Sequence, residues 1–223
     1  MTISLSDAGK RFNRDWIFRH FNYTFNTGNS YAIVGPNGSG KSTLLQAIGG
    51  AIGLSEGKLV VSSGAWHVRH QAGSGKRQVG NNDEASSPDN LYQSIAIAAP
   101  YLEVIEEMTV TEFLHFHQTF KPLLPILSIK EIITVIGLET ASGKQIRYYS
   151  SGMKQRVKLA QAIFSDVPVI LLDEPCTNLD TTGIALYQKL ISDYCTNRLV
   201  IVSSNDEAEY GFCKEKLNMT VLK

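Results

Sequence analysis

The sequence predicts an α/β fold: a core of mostly parallel strands flanked by helices, an antiparallel β-subdomain at the N-terminus and an inserted α-helical subdomain. Three observations predict it. Apolar residues alternate through the first 34 positions; two short apolar runs, Tyr31–Val34 and Val169–Leu172, read as buried strands; and helix-start signals follow Thr109.

The elements follow in order. Phe21, Tyr23 and Phe25 share one face of a strand, and the turn NTGN precedes SYAIV, which suggests antiparallel strands leading to a buried one. Residues 62–90 are rich in Ser, Gly, Asn, Gln and Asp and read as a polar loop without a repeat. TVTE and SIKE are capping boxes, and the second opens a helix carrying Ile132, Ile133 and Ile136 that Gly137 can close. Past residue 150 the order is helix, buried strand, helix, strand. The whole of residues 1–223 is expected to form one domain, with residues 101–165 as its helical subdomain.

Bulk composition sets limits. A chain of 223 residues with 43% hydrophobic and 19% charged residues is an ordinary globule. Net charge is zero, so no nucleic acid or anionic surface is expected as a partner. Cys176, Cys195 and Cys213 are odd in number and widely spaced, as reduced thiols in a cytoplasm would be. The opening MTISLSDAGKRF lacks the apolar core of a secretory signal, and no run approaches 18 apolar residues.

Chemistry concentrates in SYAIVGPNGSGKSTLLQAIGG. Here a strand feeds a glycine loop that runs into a helix, and Gly35-x4-Gly40-Lys41-Ser42 is the full phosphate-loop spacing. Glycines let the backbone of the loop Gly35, Pro36, Asn37, Gly38, Ser39, Gly40 and the following Thr43 curl so that successive N–H groups, all but that of the proline, point inward at phosphate, helped by the helix N-terminus. Lys41 is expected on the β- and γ-phosphates and the Ser42 hydroxyl on Mg²⁺. The related GSGK at Gly73–Lys76 and SGK at Ser142–Lys144 lack the feeding strand and the hydroxyl, and read as surface loops. In VPVILLDEP, Asp173 at the strand end can hold the Mg²⁺ shell while Glu174 orients or deprotonates a water. Together these two features specify a P-loop NTPase core that hydrolyses a nucleoside triphosphate.

In RYYSSGMKQRVKLAQAIFSD, Ser150 and Ser151 can cap a helix with Met153, Val157, Ala160 and Phe164 on one face, creating a second anion site. At this point the chain resembles the ATP-binding cassette family, whose signature is LSGGQ followed by QR. YSSGM with Gln155 and Arg156 matches at Ser150 and Gly152 and departs at Tyr149, Ser151 and Met153. Asn178-Leu179-Asp180 is similar to the family's D-loop, and Phe12, 29 residues before Lys41, lies where the family stacks an aromatic on adenine, with Trp16 as rival. The resemblance implies a head-to-tail dimer, of two copies or with a second cassette subunit, clasping ATP between the phosphate loop of one and the Ser150 cap of the other. It also implies separate membrane-spanning permease subunits and a place on the cytoplasmic face of the membrane. Soluble cassette ATPases of DNA repair, chromosome maintenance or translation are the alternative, and a kinase-like phosphotransferase the third reading.

Two departures from the family stand out. Asn205 occupies the slot of its switch histidine, so a neutral donor replaces a charge-assisted one. That substitution costs about 1 kcal/mol, roughly five- to tenfold in rate, and removes titration near neutral pH. Pro100 stands in the slot of the magnesium-sensing glutamine, with Gln93 too early to replace it. Water is therefore expected to complete the metal shell, and Tyr101–Glu107 to couple to the membrane partner.

Overall fold

The computed structural model describes residues 1–62 and 91–221. The chain opens with β1 (Thr2–Phe12) and β2 (Asp15–Asn26), then β3 (Ser30–Val34), α1 (Lys41–Ile48) and β4 (Glu56–Ser62). After residue 90 come α2 (Leu91–Ser94), β5 (Ile95–Ala98), α3 (Val110–Phe120), α4 (Ile129–Val135) and α5 (Ser151–Ile163). The remainder alternates: β6 (Val169–Asp173), α6 (Thr181–Tyr194), β7 (Leu199–Ser203), α7 (Glu207–Tyr210) and β8 (Glu215–Asn218). Ser62, the first residue of the expected polar loop, is the last residue of β4; the rest of that stretch, with Gly73–Lys76, lies outside the described residues.

Two sheets result. The antiparallel one has the order β2-β1-β4, and the parallel one the order β5-β6-β7-β3-β8. A two-residue turn joins β1 to β2, with Asn13 at φ 55°, a conformation asparagine tolerates better than most residues. The parallel strands read as continuous apolar runs because both faces are covered. In β6, Val169 and Leu171 enter one core while Ile170 and Leu172 enter the other; in β7, Leu199 and Ile201 oppose Val200 and Val202 in the same way. On the first face lie α1, through Leu44, Leu45 and Ile48, and the inward residues Ile3, Phe18, Phe21 and Phe25 of the antiparallel sheet. On the second lie α3 to α6. Each fully buried aliphatic side chain contributes about 1.5–3 kcal/mol, so the two-sided strands are the costliest places to alter.

Both expected capping boxes are made. Thr109 accepts the Glu112 N–H and Ser128 accepts the Glu131 N–H, with each glutamate reaching back to its cap. Gly137, at φ 67°, follows the end of α4. Among the described residues no helix is long and apolar enough to cross a membrane.

Candidate active site

Three loops leave the same edge of the parallel sheet. Ile33 of β3 and Asp173 of β6 both pair with Ser203 of β7, so the strand ends are level. The glycine loop, the Asp173-Glu174 pair and Asn205 therefore emerge side by side, at the C-terminal strand ends where open parallel sheets place ligand sites.

The glycine loop is shaped by crowding. Gly40 sits at φ 99°, and a Cβ there would meet the Ile17 methyl at 2.4 Å. No side chain caps α1, and its first helical bond runs from Leu44 N–H to the Gly40 carbonyl. The amides of Lys41, Ser42 and Thr43 therefore precede the helix's own hydrogen bonding and stand ready for an anion. Lys41 is buried, its ammonium donating to the carbonyls of Gly35 at 2.8 Å and Pro36 at 3.4 Å. Ser39 is buried too, its N–H donating to the Pro36 carbonyl at 3.1 Å and its hydroxyl left without a partner. Asn37 and Gly38 are exposed at the tip.

The acidic pair divides its roles by burial. Asp173 is 2% exposed and its Oδ1 has no hydrogen-bond partner. A buried, unpartnered carboxylate oxygen is costly unless a cation meets it, and hard oxygen donors suit Mg²⁺. Asp173 with the Ser42 hydroxyl thus fits that ion. Glu174 is exposed and held at φ 42°, its N–H donating to Ser203 O at 2.9 Å.

Asn205 places both ends of its side-chain amide against the glycine loop. Its Oδ1 accepts the Gly35 N–H at 3.2 Å and its Nδ2 donates to Asn37 Oδ1 at 3.1 Å, so its side chain braces the glycine loop. The expected cap of α5 is Ser150 alone, which accepts the Met153 N–H at 3.3 Å; Ser151 is the first helical residue and caps nothing. Gly152 faces the turn after β6 so closely that a Cβ would meet Asn178 O at 3.0 Å. Asp180 caps α6 by accepting the Gly183 N–H at 2.7 Å and stands 4.0 Å from Arg156.

Phe12 is 48% exposed at the end of β1, with the Lys10 ammonium 5.0 Å from its ring. Trp16 is flanked by the guanidinium groups of Arg19 at 4.4 Å and Arg11 at 5.5 Å. Trp16 is partly buried with two cations at its ring, whereas Phe12 is exposed and meets one, which leaves Phe12 the more open to a base. Pro100 accepts a hydrogen bond from Lys158 at 3.1 Å through its carbonyl, and Gln93 bonds its neighbour Tyr92. Ser142–Lys144 forms a turn in which Lys144 N–H donates to Ala141 O at 2.9 Å. Burial raises the thiols of Cys176 and Cys213 to about 12 and of Cys195 to about 11, which leaves them protonated and inert at neutral pH.

Sequence reasoning missed the contacts made by Gln46, Tyr101, Gln155 and Glu209. Gln46, one helical turn beyond Ser42, hydrogen-bonds the Tyr101 hydroxyl, which lies close enough for Asp173 to raise its pKa further after burial has done so. The four-residue spacing from Ser42 was the available signal. Gln155 and Glu209, both buried, grip the turn after β6: Gln155 Nε2 donates to Pro175 O and Cys176 N–H donates to Glu209 Oε1, each at 2.7 Å. Burial raises the Glu209 carboxyl above its usual range, against the opposing bonds from Ser204 and Cys176.

With this geometry established, the relatives can be set beside it. The profile described as ABC transporter matches residues 18–177. An uncharacterized ABC transporter ATP-binding protein of Bacillus subtilis, YybJ, is 26% identical over 97% of this chain and 92% of its own length. A cytochrome c biogenesis ATP-binding export protein, CcmA, of Mesorhizobium japonicum is 26% identical over 92% of this chain and 91% of its own. A bacterial ABC transporter cassette solved as a dimer superposes with a TM-score of 0.74 at 21% identity, covering 97% of this chain and 94% of that one.

Proposed function

The chain belongs to the ABC transporter family, and from that premise we propose that it is the ATP-binding and ATP-hydrolysing subunit that energises transport through a separate membrane-spanning partner. Two copies, or one copy and a second cassette subunit, pair head to tail, and ATP lies between the phosphate loop of one and the Ser150 end of the other. Residues 1–223 act as one domain, with residues 101–165 as the helical subdomain that carries the Ser150 cap.

Each role follows from chemistry already described. The amides of Gly38, Gly40, Lys41, Ser42 and Thr43 and the Lys41 ammonium hold the β- and γ-phosphates. Ser42 and Asp173 hold Mg²⁺, which when bound supplies charge neutralisation at phosphate oxygens. Glu174, exposed beside the loop, orients the water and takes its proton as the γ-phosphoryl group leaves. Phe12 stacks on adenine, and Asp180 lies beside the partner's nucleotide. Asn205 steadies the loop instead of bringing a titrating group, so hydrolysis is slow and nearly flat between about pH 6 and 8. An Asn205→His variant should gain a pH dependence in that window and roughly five- to tenfold in rate. No gain in either would remove this account of Asn205.

The membrane partner docks at Tyr101–Glu107, on the cytoplasmic side. Tyr101, Leu102 and Ile105 are exposed there, and the Lys158 bond to Pro100 ties the segment to α5. The observation that carries the functional reading is the unpartnered Asp173 oxygen, buried level with the end of the strand that feeds the glycine loop. The test is the mass of a Glu174→Gln variant by light scattering with saturating ATP and Mg²⁺. A dimer is expected; a monomer, even with the membrane chains present, would overturn the reading.

A further inference from the structure

The turn from Glu174 to Asn178 is under conformational load. Glu174 sits at φ 42° in the left-handed region, which a glutamate avoids, while Asn178 adopts φ 66° at less cost. Within the turn, Thr177 N–H donates to Glu174 O at 3.1 Å and Leu179 N–H to Cys176 O at 2.9 Å. Such local bonds also form in relaxed turns, so they do not by themselves select this conformation. The holds from outside come from two different helices. Gln155 of α5, 3% exposed, donates to Pro175 O at 2.7 Å. Glu209 of α7, 5% exposed, accepts Cys176 N–H at 2.7 Å and a bond from the Ser204 hydroxyl. They grip the residues one and two after Glu174. Tyr187 donates to the Glu209 carbonyl at 2.8 Å, which fixes α7 in turn.

We propose that Gln155 and Glu209 are positioning residues for Glu174, a buried two-helix clamp that keeps the strained turn in the conformation from which Glu174 addresses water. The inference rests on the reading of Glu174 given above. Neither residue belongs to the loop that binds phosphate, so losing either should lower kcat and leave nucleotide affinity alone.

The test uses the full chain. Gln155→Met keeps the shape and removes the donor; Glu209→Met removes the acceptor, while Glu209→Gln retains an acceptor oxygen. Gln188→Ala serves as the control, because Gln188 Nε2 bonds Ala208 O at 2.9 Å, from α6 to the helix that carries Glu209, without touching the turn. In Gln155→Met and Glu209→Met, kcat should fall about tenfold or more, with KM for ATP within about twofold. With hydrolysable ATP both should accumulate the dimer, as is expected of Glu174→Gln. Glu209→Gln and Gln188→Ala should keep kcat within about threefold of the parent. A parent-like kcat in both methionine variants overturns the clamp. So does an equal loss in Gln188→Ala, or loss of the dimer along with kcat. If Gln155→Met fails to fold, the contrast between Glu209→Met and Glu209→Gln decides alone. Failure of the parent to hydrolyse, with a monomeric Glu174→Gln, would instead mark failure of the functional reading itself.

Discussion

The helices α1 and α5 each present an N-terminus proposed to meet phosphate, but they are built differently. At α1 the entry residue is Gly40 and no side chain fills the first amides, while Lys41 lies buried in the same loop. At α5 the Ser150 hydroxyl already accepts the Met153 amide, and Ser150 and Ser151 are exposed. An unfilled helix end with a buried cation is a complete anion site. An exposed, self-capped end offers less, and needs a ligand positioned by something else. The difference teaches that a single chain should bind nucleotide through α1, and that α5 should matter only once a second subunit delivers its own.

The sharpest way to break that contrast is Lys41→Ala. Losing charge-assisted hydrogen bonds of about 1.5–3 kcal/mol each should weaken ATP binding by roughly 100-fold or more. Equilibrium titration with a fluorescent ATP analogue checks it, and a loss below tenfold would make α1 no stronger a site than α5. Next comes Ser150→Ala. Binding by the single chain should stay within about twofold, while dimer formation in a Glu174→Gln background weakens by about tenfold. The lost cap itself costs about 1 kcal/mol, visible as a Tm lower by roughly 2–4 °C.

A smaller effect would complete the case for α1. Phe12→Ala should weaken ATP binding by about fivefold, the lower end of base stacking, and Trp16→Ala should leave it unchanged, because arginines already flank Trp16. The reverse order would reassign the adenine contact.

The smallest effect on nucleotide binding is expected from a stability switch in the helical region. His117 of α3 bonds Ser165 Oγ at 2.9 Å, and burial lowers its pKa to about 4. The unfolded chain therefore takes up a proton first, near 6.5, and stability falls as pH drops from about 6.5 toward 4. Thermal unfolding across that range should show the slope, and His117→Gln should flatten it. ATP affinity at α1 should change less than Tm does.

Local signals made part of this legible. The strand–glycine loop–helix order, the VILLDE strand and the two capping boxes are each written within a few residues, where periodicity and spacing act. Other parts depend on tertiary packing. Asn205 bonds Gly35 across 170 positions, Glu209 bonds Cys176 across 33, and Gln155 bonds Pro175 across 20. No local pattern announces such pairs. Position favours Phe12 over Trp16 only narrowly, and the cations at each ring, Lys10 against the pair Arg11 and Arg19, are visible only in the fold.

Helix α5 has one more consequence. A rise of about 1.5 Å per residue puts Gln155 some 7–8 Å behind Ser150 on the same stiff rod. A push on its tip is therefore handed directly to Pro175 and the residue before it. The two nucleotide pockets of a pair would then share a mechanical link, each sensing through α5 whether its neighbour is filled.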